Sequence, residues 1–291
     1  MENNQNEYAE LEFIDEPIYI HGFPWRQKTN TELQTEYNRL RKKTTEKIIF
    51  PLKFSIIGYP CTNIFFQYER MNTPGRGGRK TTILFWRNNQ QRIMEMSERL
   101  NRDLFHCLTF TNHAPSQFPI MTAVKIYRHF NATKVLDPYA GWGDRCLAAM
   151  ALDIDYIGID CNPNLKTPYK KLTEFFPTKS KVKIITDKCE DINLDDMEYD
   201  FVLTSPPFWE KNKIVERYNN SDTEYEHFLS SSLIPVLKKC ITKVPTCVYI
   251  PSNMYEDIKN VIGECTSVLE FKTATCNCRG KPSSNKLYCW L

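Results

Sequence analysis

The sequence predicts an α/β protein with a doubly wound sheet of seven strands, preceded by an α+β extension at the N-terminus. From residue 133 onward, short apolar runs alternate with longer amphipathic stretches, which is typical of a mostly parallel sheet covered by helices. Several apolar runs end in an acid or a serine, and a turn with two glycines follows the first of them. The last two runs have no helix between them, so we expect an antiparallel pair to close the sheet.

The residues that end these strands are the first candidates for a functional site. We expect strands at 133–137, 155–160, 181–186, 199–204, 246–250, 266–274 and 285–291, and helices at 144–152, 164–176, 223–243 and 254–263. Ligands of doubly wound sheets bind at the carboxyl ends of the strands. Asp137, Asp160, Asp187 and Ser205 all lie at such ends, which predicts that they line one site.

The extension is expected over residues 1–110 and the main domain over 111–291. Residues 1–28 predict an arm that is either packed on the body or partly disordered. The spacing of apolar residues and the enrichment in β-branched and aromatic residues then predict the following elements: helices at 29–47, 88–108 and 120–130, and strands at 48–50, 54–57, 63–66 and 81–86.

A glycine-rich, cationic loop over residues 70–80 separates the last two predicted strands of the extension and carries Arg76, Arg79 and Lys80. The tip of such a hairpin can follow the phosphates of a nucleic acid, since Arg and Lys reach the backbone while the strands fix their direction. A surface loop without a role has the same composition. We interpret the loop as a nucleic-acid contact because the rest of the sequence offers few other recognition elements.

The first motif is the stretch from Val135 to Arg145, which predicts a strand, a tight turn and the start of a helix. Glycines in such a turn let the backbone approach a ligand, and the helix start offers unpaired N–H groups to a carboxylate or phosphate. Asp160, at the end of the next strand, suits ribose hydroxyls. The stretch differs from the dinucleotide-binding fingerprint G-x-G-x-x-G because no third glycine follows Gly141 and Gly143.

The second motif, Ser205-Pro206-Pro207-Phe208, predicts a rigid corner at the end of a strand. Each proline fixes its own backbone and biases the preceding residue toward an extended conformation. The corner can therefore hold the Ser205 hydroxyl and the Pro206 carbonyl as hydrogen-bond acceptors and present the Phe208 ring for stacking. An isolated copy of this motif is an ordinary loop; its position after the glycine turn and Asp160 favours a functional site.

With these two motifs the chain resembles the S-adenosylmethionine-dependent amino-methyltransferases, which methylate adenine N6 or cytosine N4 in nucleic acids. The signature of that family is Asp, Asn or Ser, two prolines and an aromatic residue, and corresponds to residues 205–208; its cofactor loop corresponds to 137–143. The resemblance covers roughly residues 112–291. It implies a Rossmann-like seven-stranded methyltransferase sheet, S-adenosylmethionine as the cofactor, and a target base that leaves its stack.

The resemblance and the strand ends together predict the residues of the site. The predicted cofactor-binding residues are Phe118, Pro119, Asp137, Pro138, Tyr139, Ala140, Gly141, Gly143, Asp160 and Asp187. Phe118 and Pro119 follow from the resemblance alone. Asp187 would suit the adenine amino group of the cofactor. The catalytic residues are Ser205, Pro206, Pro207 and Phe208. Trp209 is expected to stack on the base beside Phe208, and Arg76, Arg79 and Lys80 are expected to contact nucleic acid.

The predicted activity is methyl transfer to an exocyclic amino group in DNA. Cytosine N4 is favoured because the serine form of the signature is associated with cytosine in the family that the chain resembles. One alternative is an adenine N6 methyltransferase acting on DNA or RNA. Another is a catalytically silent nucleic-acid-binding subunit. The sequence does not indicate the target sequence or the oligomeric state.

Composition excludes several other classes of protein. The chain has 291 residues, 41% of them hydrophobic, and a net charge of +3, so nucleic-acid binding must rely on local basic patches. Its 11 cysteines are odd in number and scattered, and no signal peptide precedes them, which favours reduced thiols in the cytoplasm or the nucleus. No apolar run approaches the ~20 residues of a membrane span. Cys276 and Cys278 lack a second ligand pair, so we expect no metal site.

Overall fold

The computed structural model describes residues 22–75, 79–210, 213–214, 225–272 and 285–291. Its centre is a seven-stranded sheet formed by β1 (Lys134–Asp137), β2 (Asp155–Ile159), β3 (Val182–Ile185), β4 (Phe201–Thr204), β5 (Thr246–Pro251), β6 (Ser267–Leu269) and β7 (Asn285–Trp290). The strand order is 3-2-1-4-5-7-6, and β1 to β5 are parallel. Strand β7 runs antiparallel to both β5 and β6. The predicted doubly wound sheet and its antiparallel closure are confirmed.

Helices cover both faces of the sheet. They are α1 (Asn30–Lys43), α2 (Tyr59–Met71), α3 (Thr82–Leu100), α4 (Leu104–Asn112), α5 (Ile120–His129), α6 (Asp144–Leu152), α7 (Lys166–Phe175), α8 (Tyr225–Phe228), α9 (Ile234–Ile241) and α10 (Ser252–Ile262). Alternate residues of β1 enter opposite cores: Val135 joins the core that contains Leu147 of α6, and Leu136 joins the one that contains Val236 of α9. Both faces of the strand are buried, as the continuous apolar runs predicted.

Shorter elements connect these layers. A π-helical turn, Leu229–Leu233, joins α8 to α9. Three pairs of short strands lie outside the main sheet: Leu52–Lys53 with Phe271–Lys272, Pro74–Gly75 with Arg79–Thr81, and Trp209–Glu210 with Lys213–Ile214. Among the described residues, no helix has the length and apolar character needed to cross a bilayer.

The prediction of strands at 48–50, 54–57, 63–66 and 81–86 is wrong, because the described extension is mainly helical and residues 48–57 contain only the two-residue strand Leu52–Lys53. Helix α2 occupies Tyr59–Met71, and its residues 61 to 67 are all buried. A helix buried on every side has a continuous apolar sequence without a visible period, so it cannot be distinguished from a buried strand by pattern. Pro60, near its start, suits the first turn of a helix. Helix α3 begins at Thr82, within the last of the strands that we predicted.

The single helix predicted at 88–108 is two helices. Helix α3 ends where Asn101 adopts the left-handed conformation, with φ of 48°. The carboxylate of Asp103 then accepts a hydrogen bond from His106 N at 2.8 Å and caps α4. Both residue types are typical of helix ends, but the apolar period continued through them and concealed the break.

The first two helices of the extension share a core with the sheet. Leu33 and Leu40 of α1 are fully buried in the same cluster as Val135 of β1. The Arg41 guanidinium donates to both carboxylate oxygens of Asp153, at 3.1 and 2.6 Å, and ties α1 to the end of α6. Part of the predicted extension therefore supports the main domain directly.

Candidate functional site

The candidate site lies at the point where the strand order of the sheet reverses. Strands β1 and β4 are neighbours, with Val135 opposite Phe201 and Leu136 opposite Val202. The chain continues from β1 toward β2 and β3 on one side, and from β4 toward β5 on the other. Connections that diverge in this way leave a crevice at the carboxyl ends of the strands. Both sequence motifs begin at this crevice, since residues 138–143 follow β1 and Ser205 follows β4.

Asp137 is the centre of a buried network beneath the crevice. Its carboxylate is fully buried and pairs with Arg145, whose Nε lies 2.6 Å from Oδ2. The hydroxyls of Tyr156 and Thr204 donate to the same carboxylate at 2.7 and 2.8 Å. Burial lowers the pKa of Arg145, but the Asp137 carboxylate outweighs this effect and keeps the guanidinium charged. These hydrogen bonds engage both carboxylate oxygens, so Asp137 supports the site from behind; its contact with a cofactor stays a prediction.

Residues 138–143, the glycine loop, are held by the ends of three strands. Tyr139 N donates to the Thr204 hydroxyl at 3.2 Å, which links the loop to β4. Gly141 N donates to Asp160 Oδ2 at 2.8 Å, and Tyr169 donates its hydroxyl to Gly141 O at 3.0 Å. The Ala140 amide donates to a carbonyl at the end of β2. The loop is therefore rigid on both sides of Gly141.

The two glycines of this loop serve different purposes. Gly141 has φ of 61°, and a Cβ added there would find no heavy atom closer than 3.9 Å. Gly143 has φ of 77°, and a Cβ there would lie 2.6 Å from Phe66 Cε2 on α2. Both need a conformation that side chains disfavour. A Cβ at Gly141 would meet only ordinary van der Waals contacts, whereas the missing Cβ of Gly143 allows α2 to pack on the loop.

We expect Gly143→Ala to destabilise the protein more than Gly141→Ala. Each substitution places a Cβ on a left-handed backbone, at a cost of roughly 1–2 kcal/mol. Gly143→Ala also forces the Phe66 ring to move, which adds about 1–3 kcal/mol of overpacking. Urea unfolding of the two variants measures the difference, and equal losses would contradict the close contact with Phe66.

Asp160 ends β2 at the rim of the crevice and is half-buried. One carboxylate oxygen accepts from Gly141 N at 2.8 Å and the other from Asn162 N at 3.0 Å. Burial raises the pKa of Asp160 to about 6, and these two backbone hydrogen bonds limit the rise. Each oxygen retains lone pairs for a further donor, so Asp160 suits a ligand with vicinal hydroxyls.

The diproline corner carries an aromatic cluster that the sequence only partly predicted. Ser205, Pro207 and Phe208 are half-buried, and Pro206 is buried. The Phe208 ring packs edge-on against Tyr249 of β5, with centroids 5.7 Å apart. Tyr249 packs in the same way against Phe118, at 5.6 Å.

The structure thus brings Phe118, which precedes α5, to the corner that follows β4. It also adds Tyr249, which the sequence analysis missed. The only signal for Tyr249 was an aromatic residue near the carboxyl end of a predicted strand. The side chain of Trp209 lies outside the described part of the structure.

Asp144, directly after the glycine loop, is a second residue that the sequence analysis missed. Its carboxylate is buried and accepts from Phe118 N at 3.0 Å, Gln117 Nε2 at 3.1 Å and the Thr62 hydroxyl at 2.6 Å. Burial raises its pKa to about 6, against the effect of the Thr62 hydrogen bond. Asp144 therefore attaches the segment containing Phe118 and the buried Pro119, together with α2, to the start of α6.

A third network closes the side of the crevice next to α9. Tyr139 donates its hydroxyl to Ser232 at 3.0 Å, and Ser232 donates to Glu190 Oε2 at 2.8 Å. Ser232 belongs to the π-helical turn, a feature that often marks functional sites. Asp191 is exposed, but Glu190 is half-buried and bonded, because the π turn brings Ser232 to it.

The remaining predicted residues lie farther from the corner. Asp187 is exposed after the end of β3, where its carboxylate accepts from Lys188 N. Arg79 and Lys80 are exposed in the short hairpin that packs on the end of α4. Arg76 lies outside the described residues. Within the described ranges, no group of three His, Cys, Asp or Glu side chains could hold a metal ion.

No protein-family model and no curated protein matches the sequence. Among solved structures, the chain is similar to a tRNA (uracil-54, C5)-methyltransferase of Pyrococcus abyssi in complex with S-adenosyl-L-homocysteine. The identity is 13% and the TM-score is 0.40, and the match covers 61% of this chain and 40% of that protein. A SAM-dependent methyltransferase of Agrobacterium tumefaciens has 16% identity and a TM-score of 0.38, with 60% and 62% covered. An rRNA methylase of Streptococcus thermophilus has 11% identity and a TM-score of 0.37, with 60% and 97% covered. At these identities and TM-scores, the matches say nothing about substrate.

Proposed function

We propose that this protein is an S-adenosylmethionine-dependent methyltransferase that modifies an exocyclic amino group of a base in DNA, with cytosine N4 as the favoured target. The observation that carries the proposal is the position of Thr204. Its hydroxyl donates to Asp137 and accepts from the Tyr139 amide, and Ser205 is the next residue. The glycine loop and the diproline corner are therefore joined at one point, as a reaction between a methyl donor and an amino acceptor requires.

The residues around Gly141 fit the proposed cofactor. Gly141 is half-buried and places no side chain between the loop backbone and a ligand, and the Asp160 carboxylate at the rim can accept from two ribose hydroxyls. When bound there, S-adenosylmethionine would supply a methyl group already activated by its sulfonium.

The diproline corner suits an amino group as the acceptor. The Ser205 hydroxyl and the Pro206 carbonyl can accept the two amino hydrogens of a base and draw its nitrogen toward tetrahedral geometry. The nitrogen lone pair, otherwise delocalised into the ring, then becomes available for the methyl group. Methyl transfer would form the N–C bond as the S–C bond of the sulfonium breaks, S-adenosylhomocysteine would leave as the neutral thioether, and the amino proton would pass to water, while the Ser205 hydroxyl and the Pro206 carbonyl hold the nitrogen. Phe208 offers a stacking face to a base that has left its duplex.

Methyl transfer to defined nucleic acids tests this proposal. The full chain is incubated with methyl-labelled S-adenosylmethionine and duplex DNA, single-stranded DNA or RNA, and the product is digested to nucleosides. We expect N4-methylcytosine from DNA. N6-methyladenine as the only product would refute the cytosine assignment, and label only in RNA would refute the DNA assignment. Absence of both transfer and calorimetric cofactor binding would support a silent binding subunit.

Cofactor affinity should fall as the pH drops through about 6. Hydroxyl donors bind an ionised carboxylate more strongly than a neutral one, and burial raises the pKa of Asp160 to about 6. Above this value Asp160 is ionised and affinity is full; below it, the protonated group is a poorer acceptor and affinity is lost. Calorimetric titrations with the cofactor at pH values above and below 6 measure this step in affinity.

The Asp160→Asn variant is the matched control for this pH dependence. It should bind the cofactor weakly at every pH, without the step. An equal step in this variant would contradict the assignment to Asp160 and point to another acid, of which Asp144 is the first candidate, since burial raises its pKa to about 6 as well.

A further inference from the structure

An exposed aromatic stripe runs along α4. His106, Phe110 and His113 are spaced by four and three residues, so they share one face of the helix and its C-cap. The His106 and Phe110 rings are stacked, with centroids 6.2 Å apart and planes 19° apart, and Phe110 and His113 are 6.4 Å apart. Phe110 is 58% exposed. Flat rings are therefore presented to solvent in a row.

Cations of the short hairpin border this stripe. Arg79 Nη1 donates to Thr111 O at 2.8 Å, which holds an exposed guanidinium beside Phe110. Asn112 Nδ2 donates to Lys80 O at 3.0 Å and so fixes the strand that carries both cations. A Cβ added to Gly75 would lie 2.6 Å from Asn112 O, so the hairpin is in close contact with the end of α4. The rings and the cations form one preorganised surface.

The stripe ends close to the candidate site. His113 is five residues before Phe118, so their Cα atoms are at most about 18 Å apart. The connecting segment is anchored at two points: Arg70 Nη1 donates to Pro115 O at 3.1 Å, and Phe118 N donates to Asp144 at 3.0 Å. A strand of nucleic acid that enters the site can therefore extend along the stripe.

We propose that the His106–Phe110–His113 stripe and the Arg79–Lys80 hairpin bind an unpaired stretch of DNA that flanks the target base; the flanking role rests on the proposed function. Bases stack on the Phe110 face, and the two cations contact phosphates. Stacked rings beside cations are typical of surfaces for single strands, because every base has a π-face. The acid that caps α4, Asp103, adjoins the His106 end of the stripe, where its carboxylate accepts from His106 N and pairs with Arg26 at 3.0 Å.

Fluorescence anisotropy with a labelled single-stranded DNA oligonucleotide tests this proposal on the full chain. Loss of one stacking ring should weaken binding by about tenfold in Phe110→Ala, within the range measured for base–aromatic stacking. Phe110→Tyr, which retains the ring, should bind like the wild type. Phe110→Leu retains most of the apolar area without the ring, and should be as weak as Phe110→Ala. Arg79→Ala should remove about one phosphate contact. The slope of log affinity against log salt concentration should therefore fall by about one.

Leu100→Ala is the matched control, since it removes a side chain that is 48% exposed at the end of α3 without removing a ring. It should leave DNA affinity unchanged. Wild-type DNA affinity in Phe110→Ala would overturn the proposal, and wild-type DNA affinity in Phe110→Leu would overturn the stacking of a base on the Phe110 ring. Tighter binding of an RNA of the same sequence would overturn the choice of DNA.

Cofactor titration separates this inference from the proposed function. If the wild type neither binds S-adenosylmethionine nor transfers methyl groups, but Phe110→Ala still loses DNA affinity, the surface is supported and the proposed function fails. If methyl transfer to DNA occurs and Phe110→Ala binds DNA normally, the proposed function stands and the surface is wrong. Calorimetric affinity for the cofactor should be the same in all the Phe110 variants.

Discussion

Replacing Asp137 with alanine should lower the free energy of unfolding by about 3–5 kcal/mol, the usual cost of leaving one partner of a buried ion pair alone. The substitution leaves the buried Arg145 guanidinium without its carboxylate. It also removes the acceptor for the Tyr156 and Thr204 hydroxyls. Urea denaturation followed by circular dichroism measures the loss. A change below about 1 kcal/mol, the worth of a single hydrogen bond, would contradict the central role of this carboxylate.

Two further variants distinguish the ion pair from its surroundings. Tyr156→Phe removes one hydrogen bond to Asp137 and should cost only about 1 kcal/mol. The double variant Asp137→Leu with Arg145→Leu removes both charges, so it should be more stable than Asp137→Ala alone. If the double variant is the less stable of the two, the unpaired charge is not the cause of the loss.

Replacing Ser205 with alanine should lower the rate of methyl transfer by about 100-fold, by analogy with the loss of one preorganised polar group from a reaction site. The hydroxyl acts on the amino group of the base and not on the methyl donor, so cofactor affinity should be unchanged. Single-turnover kinetics with saturating cofactor measure the rate, and calorimetry measures the affinity.

Ser205→Thr is the control that keeps the hydroxyl and should retain most of the activity. A Ser205→Ala rate within threefold of the wild type would exclude the hydroxyl from the reaction and leave the Pro206 carbonyl as the acceptor at the corner. A loss of cofactor affinity in Ser205→Ala would instead assign Ser205 to the donor side of the crevice.

The sequence was sufficient to predict those parts of the fold that depend on the pattern of apolar residues over a few neighbouring positions. Strands β1, β2, β4 and β5 are buried on both faces, so each produced a short apolar run with a clear end, and Asp137, Asp160 and Ser205 were correctly placed at those ends. The same reasoning failed for α2, because a helix buried on all sides produces a similar run. Helix and strand could not be separated there without the neighbours that bury Ile64 and Phe66.

The roles of individual residues depended on contacts that sequence does not display. Asp144 joins Thr62 across 82 positions of the chain, and Glu190 meets Ser232 across 42. Asp137 was placed correctly, but only its hydrogen bonds with Arg145, Tyr156 and Thr204 show that it supports the glycine loop from behind. Tyr249 became part of the corner only through its ring contacts with Phe118 and Phe208.

The sequence by itself determined the sheet, the loop after its first strand and the rigid corner after its fourth, because backbone preferences and burial act over a few neighbouring residues. Tertiary structure alone decided which acids point into the crevice and which hold it together from within, and which aromatic rings meet at the corner. Those outcomes depend on contacts between side chains that are distant along the chain. Such contacts stabilise the fold but produce no periodic pattern in the sequence.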